Sequence, residues 1–206
     1  MSSPEFEKLL LDNLDILKEI GNIGMGHTST ALSQMLSMKV TMTIPEVYIL
    51  GETEAAKFAE DVSRESFGVT LGLQGDATGK IILLLSKKFA VKVLNFFFGF
   101  GLETVDELDE MSLSVIQEMG NITSGAYCNS IASMTGLFID ISTPTHCPDI
   151  PAAVVNSVKD NGKLMLIRNS FFIDNEEINS NFLFLPDRET IAMILQKLKE
   201  YYGFSS

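Results

Sequence analysis

The sequence predicts an α+β fold: an internally duplicated unit of helix, three strands and helix, with both copies sharing one sheet about a pseudo-two-fold axis. Three observations lead there. The stretch EIGNIGMG at residues 19 to 26 returns as EMGNITSG at 118 to 125. Helical and alternating apolar patterns follow in the same order in each half. A three-stranded sheet with a single helical layer is small on its own, whereas two such units together close a sheet and cover it. The expected organisation is a single domain over 1–206 made of pseudo-repeats 1–103 and 104–206, with the two long motif-bearing helices exposed on one side.

Each element follows from a local pattern. Ser3 and Pro4 suit a helix start, and apolar residues at 6, 9, 10, 14, 16, 17, 20 and 23 carry helical spacing, so one helix is expected from about 4 to 37. KVTMTIPEVYILG reads as a strand broken by Pro45, and ESFGVTLGLQGDATGKIILLLS as two strands joined through Gly75, Asp76 and Gly79. SKKFAVKVLNFFFG reads as a short helix capped by Ser86 and stopped at Gly99. In the second half, Thr104 and Glu107 have capping-box spacing ahead of a helix to about 135. LFIDISTP, KLMLIRNSFFID and SNFLFLP follow as strands, and DRETIAMILQKLKEYYG closes the chain as an amphipathic helix.

The repeat survives a residue-by-residue test. Shifting one half by 99 positions lays Glu19, Gly21, Asn22, Ile23, Gly26, Met35 and Pro45 on Glu118, Gly120, Asn121, Ile122, Gly125, Met134 and Pro144. The coincidences fall on residues that a helix does not ordinarily favour, Asn and Gly among them.

Composition narrows the function classes. Of 206 residues, 46% are hydrophobic, ample for a core, and the net charge of -12 with only 15 Lys and Arg argues against nucleic acid. Two cysteines, Cys128 and Cys147, imply no disulfide framework. No run of apolar residues is long enough to span a bilayer, and the first twenty residues interrupt their apolar positions with charge. A soluble, cytoplasmic protein without membrane insertion is the expectation.

The repeated motif forms a stripe. At about 100° per residue, Asp15, Glu19, Asn22 and Gly26 fall within roughly 60° of helical arc, and Ser114, Glu118, Asn121 and Gly125 do the same. Apolar residues occupy most of the remaining circumference. A face that needs only water accepts Lys, Gln or Arg, whereas Asn and Gly weaken a helix, Gly by about 1 kcal/mol relative to Ala. Their recurrence points to close approach by a partner and to a short, oriented amide. Gly21 and Gly120, on the flank, fit helix-on-sheet packing. Glu and Asn one turn apart with no nucleophile beside them do not support covalent catalysis. They suit docking on a cation and orienting a water, as a carboxamide does in phosphoryl-group hydrolysis.

At these residues the chain resembles the chemotaxis phosphatase family of CheC, CheX and FliY. The shared pattern is Asp15 or Ser114, then Glu19 or Glu118, then Asn22 or Asn121, then Pro45 or Pro144. Two copies without a further flagellar-switch domain resemble CheC most. The resemblance implies hydrolysis of the aspartyl phosphate of phospho-CheY, the chemotaxis response regulator. It implies that Glu19 and Glu118 pair with the regulator's lysine while Asn22 and Asn121 insert and align water. It implies no cofactor of the chain's own, Mg2+ in the regulator, and CheD, the receptor-modifying deamidase, as a second partner. A reading from a different class is a noncatalytic adaptor that binds phospho-CheY or CheD.

Other motifs read as structure. GDATGKI at 75 to 81 lacks the spacing and the Ser or Thr of a phosphate loop and reads as a hairpin turn. His27 reads as a surface or packing residue, and adjacent His146 and Cys147 do not make a zinc site. The run Phe96 to Phe98 reads as core plus edge packing, with partner docking as the alternative.

Overall fold

The computed structural model describes residues 3–173 and 176–203. The first half runs α1 (Ser3–Asp12), α2 (Leu14–Leu36), β1 (Val40–Met42), β2 (Glu46–Leu50), α3 (Glu52–Ser63), β3 (Ser66–Gly75), β4 (Gly79–Ser86) and α4 (Lys87–Phe98). The second repeats that order from its long helix onward: α5 (Glu110–Thr135), β5 (Ile139–Ile141), β6 (Thr145–Cys147), α6 (Ile150–Asn161), β7 (Leu164–Ile173), β8 (Glu176–Pro186) and α7 (Arg188–Tyr202). The duplicated α+β order is therefore present, with the proline-broken strands where Pro45 and Pro144 place them.

All eight strands join one antiparallel sheet, ordered β1-β7-β8-β4-β3-β5, with β2 also on β7 and β6 also on β3. At its centre β4 meets β8, with Ile82 opposite Leu183. The halves exchange their edges: β1 and β2 of the first pair with β7 of the second, and β5 and β6 of the second pair with β3 of the first.

The central strands are apolar on both faces, which requires helices on both. Ile81, Leu83, Leu85, Phe182 and Phe184 pack toward α1, α2, α4, α5 and α7. Ile82, Leu84, Leu183 and Leu185 pack toward α3 and α6. Helices α3 and α6 are additions to the predicted order. In α3 the signal was present, since Ala55, Phe58, Ala59 and Val62 follow helical spacing and bury that stripe on the sheet.

Two predicted boundaries are corrected. The helix expected over 4 to 37 is two helices, because Asn13 takes φ −118° and ψ 21° and its buried amide donates to Leu9 O at 2.7 Å. Asn competes with the helical ladder through such local bonds. The start expected at Thr104 lies instead at Asp109, whose carboxylate accepts from Ser112 N at 2.8 Å. Residues 102 to 106 are held to α4: Asn95 exchanges two hydrogen bonds with the Leu102 backbone, and Lys87 pairs with Asp106 at 2.8 Å. The side chain proposed to start the first helix, Ser3, and the last residue of the predicted strand, Asp174, lie outside the described ones.

The remaining punctuation matches its chemistry. Ser86 caps α4 by accepting from Phe89 N, and Gly99 closes that helix at φ 65°. Gly75 and Gly79 turn the β3–β4 hairpin at φ 87° and 127°, where side chains are strained. GDATGKI is thus a hairpin turn. Among the described residues no helix is long and apolar enough to cross a membrane.

Candidate functional site

Helices α2 and α5 lie antiparallel across one face of the sheet. Thr28 Oγ1 donates to Thr123 O at 3.1 Å, and at the matching place the ring of Tyr127 lies so close over Gly24 that a Cβ there would clash with it. Position 28 matches 127 and position 24 matches 123, so the crossing itself obeys the repeat. Tyr127 is fully buried, its ring packed against Phe182 and Phe184. Gly21 and Gly120 sit over the sheet as expected, the first near Pro45 and Val47 and the second tight against Val69.

The stripes face away from this packing. Asp15, Glu19 and Asn22 are exposed and Gly26 half-buried; Ser114 and Glu118 are exposed, and Asn121 and Gly125 half-buried. Among the described residues no side-chain hydrogen bond or ion pair engages Glu19, Asn22, Glu118 or Asn121. Asp15 does have a partner, Lys18, at 3.7 Å. A Cβ added at Gly26 meets nothing within 4 Å, and one at Gly125 meets only Ile141 Cδ1 at 3.7 Å. The antiparallel register sets Gly26 level with Gly125 and separates the two amides by roughly 12 Å along the helices.

A cleft of ≈390 Å³ runs beside the second stripe, with Ser114, Gln117, Glu118 and Asn121 on one wall and residues 141–144 on the other. Gln117 Nε2 reaches across to Pro144 O at 3.3 Å. The structure thus adds Gln117, Ser142 and Thr143 to the site. Only the equal Asn-to-Pro spacing of the two halves marked that loop in the sequence. At the first stripe the addition is Tyr202, whose phenol meets Met134 Sδ at 3.9 Å. Its pKa is raised by burial first and then by the charge of Glu19.

Chemically, each stripe offers an acceptor carboxylate and, one turn on, an amide that donates and accepts, fixed on a rigid helix beside an open glycine. Among the described residues there is no cluster of three or more potential metal ligands.

The other sequence features settle elsewhere. His27 is exposed in the groove between the helices, a cleft of ≈350 Å³ shared with Gln34 and Asn129, and takes no part in either stripe. Cys128 and Cys147 are unpaired and buried, and burial pushes the Cys128 thiol up to about 12. Phe96 and Phe97 are exposed and packed edge to face, while Phe98 is half-buried and stacks on Phe100, so two of the three phenylalanines face solvent. A roomier cleft of ≈530 Å³ beside α4 carries Lys87, Lys88 and Lys92, but these amines are paired with Asp106 and Glu176.

The fold and the doubled stripe define a class: one stripe-bearing helix presented twice on one exchanged sheet. The crystal structure of Thermotoga maritima FliY superposes with a TM-score of 0.72 at 26% identity, over 92% of this chain and 94% of that one. In sequence the chain is 27% identical over 203 residues to a protein of Bacillus subtilis (strain 168) named CheY-P phosphatase CheC, spanning 94% of this chain and 97% of that protein. It is 35% identical over 80 residues to the CheY-P phosphatase CheX of Thermotoga maritima, over 39% of this chain and 50% of that one. The profile of the CheC-like family matches twice, at residues 13–49 and 111–147, each match holding one stripe and its proline. The CheC-like profile thus recurs once in each half of the chain.

Proposed function

We propose that this protein is a phosphatase that hydrolyses the aspartyl phosphate of the response regulator CheY, at two sites built on α2 and α5. The observation that carries this reading is the repeated pair of unengaged Glu and Asn side chains within the two family matches, in a chain whose relatives are named CheY-P phosphatases.

In this reading Glu19 or Glu118 docks on the regulator's active-site lysine, a charge pair formed only in the complex. Asn22 or Asn121 then enters beside the phosphoryl group, where its amide oxygen accepts a hydrogen bond from a water and turns the lone pair of that water toward phosphorus. The water oxygen bonds to phosphorus as the bond to the aspartyl oxygen breaks. The regulator regains its carboxylate and inorganic phosphate leaves. The chain contributes positioning and no acid or base, a role sufficient for phosphoryl transfer, where alignment and electrostatics carry most of the catalysis. The divalent cation, Mg2+, is the regulator's. Gly26 and Gly125 leave room for the regulator's loops to come within reach of the amide. The reaction belongs in the cytoplasm, where its substrate is made.

Turnover tests the proposal. Protein at one-twentieth of the concentration of phospho-CheY is expected to release phosphate in excess of its own amount, whereas a noncatalytic adaptor for phospho-CheY or CheD sequesters stoichiometrically. Replacing both Asn22 and Asn121 by Ala is expected to lower hydrolysis by roughly 10² or more, each single variant keeping one working site. Undiminished turnover in the double variant, with an unchanged circular dichroism spectrum, ends the two-site reading.

A further inference from the structure

The two sites are framed alike and tipped differently. Beside the first stripe, Thr43 N donates to Ser170 O at 2.9 Å and Thr43 Oγ1 accepts from Ser170 N at 3.0 Å. Beside the second, Ser142 N donates to Gly72 O at 2.9 Å and Ser142 Oγ accepts from Gly72 N at 2.8 Å. The same two-bond clasp, made by a hydroxyl residue of the loop to the backbone of a neighbouring strand, therefore pins both proline loops, two residues before each proline. Each proline then abuts its motif helix: Pro45 Cγ lies 3.7 Å from a Cβ built at Gly21, beside Asn22, and Pro144 faces Asn121 across the second cleft.

Between clasp and proline stands one residue whose backbone is held and whose side chain is free. It is Ile44 in the first loop and Thr143 in the second. Ile44 is 81% exposed, more than any other large hydrophobic among the described residues, and Thr143 is also exposed. Nothing within the fold calls for an isoleucine there, since the clasp and the proline hold the loop without it. The helix residues that face the loops differ in the same sense. Gln117 reaches Pro144 O, while its counterpart Lys18 turns to Asp15.

We infer that Ile44 and Thr143 are specificity-determining residues, which make the first site select a receiver domain with an apolar side chain beside its phosphoaspartate and the second one with a polar side chain there. This rests on the phosphatase reading above. Docking buries Ile44 against the regulator and gains apolar contact that Thr143 does not offer, so the two sites rank regulators differently although their Glu and Asn are the same.

Single-site chains test this. In the Asn121→Ala chain only the first site works, and in the Asn22→Ala chain only the second. Each is assayed with Bacillus subtilis CheY phosphorylated by acetyl phosphate, before and after a receiver surface leucine bordering the phosphoaspartate is placed or removed. Ile44→Thr is expected to raise KM for the leucine-bearing receiver roughly ten-fold in the first chain, the weight of one to two buried methylenes, with kcat unchanged. It is expected to leave the second chain unaltered. Thr143→Ile is expected to lower KM for the same receiver in the second chain only. Phosphate release with KM indifferent to both substitutions, or a shift of equal size in both chains, overturns the specificity inference while leaving the phosphatase reading standing. No release from either single-site chain overturns the phosphatase reading and this inference with it.

Discussion

Replacing the two stripe glycines separates folding from function in opposite directions. A Cβ at Gly26 meets no heavy atom within 4 Å, and one at Gly125 meets only Ile141 Cδ1 at 3.7 Å, an ordinary contact. Both lie inside α-helices, where Ala is favoured over Gly by up to about 1 kcal/mol. The double variant Gly26→Ala, Gly125→Ala is therefore expected to gain up to about 2 kcal/mol, which raises Tm by at most roughly 4 to 8 °C in a chain of this size. If the regulator's loops pass over these positions, turnover falls as the side chain grows. Ala is expected to cost a few-fold in KM, and Leu at both sites to abolish measurable hydrolysis while Tm stays at or above that of the parent. Differential scanning calorimetry and steady-state phosphate release on the same preparations give the two axes. Gly24→Ala and Gly120→Ala are the internal contrast. Their Cβ atoms meet the buried Tyr127 ring and Val69, so they are expected to destabilise by about 1 to 3 kcal/mol through overpacking. A double Leu variant that turns over phospho-CheY normally refutes the close-approach reasoning, and one that loses its Tm refutes the claim that these glycines are open.

The remaining predictions concern charge, capping and strand exchange. Glu19→Lys with Glu118→Lys is expected to raise KM at least ten-fold by repelling the regulator's lysine, with Tm little changed, and the pair changed to Ala is expected to be milder; an unaltered KM in the Lys variant would show that the acids are only solvated. Asp187 caps α7 from Thr190 N and binds the Thr78 hydroxyl, and although burial pushes its pKa up, these hydrogen bonds outweigh burial and hold it below the ordinary 3.8. Its stabilising contribution is therefore complete above about pH 4 and lost as pH falls through the lower folded value. Asp187→Ala is expected to cost about 1 to 2 kcal/mol at neutral pH, and Asp187→Asn to flatten the acid limb of the stability curve measured by urea unfolding at stepped pH. We also propose that 1–206 folds as one domain of two pseudo-repeats. The fragment 1–103, lacking β7 and β8, leaves β1 and β2 without a partner strand and β4 paired with β3 alone, and is expected to show no cooperative melt as a monomer; a sharp monomeric transition by circular dichroism would count against the single domain.

Much of the candidate site was legible because helical azimuth is a local property. Once residues 14 to 36 are helical, the placement of Asp15, Glu19, Asn22 and Gly26 along one face follows from the pitch, and the same holds for Ser114 to Gly125. Local chemistry within about one helical turn likewise determined the Ser86 cap, the Gly99 stop and the glycine hairpin. Other decisions needed atoms far apart in sequence. Asn13 breaks the first helix although its neighbours have helical spacing, and Thr104 loses its cap because Asn95 and Lys87 claim the linker. Strand order is not readable from alternation, which says which face of a strand is apolar but not which strand lies beside it, so the exchange of β1 and β2 for β5 and β6 emerged only in the sheet. The clasps from Thr43 to Ser170 and from Ser142 to Gly72 are hydrogen bonds between such exchanged strands. The sequence by itself thus determined which residues share each stripe, because one helix's geometry suffices for that, and the tertiary structure alone decided how each proline loop is pinned beside its Asn, because that depends on pairing between opposite halves of the chain.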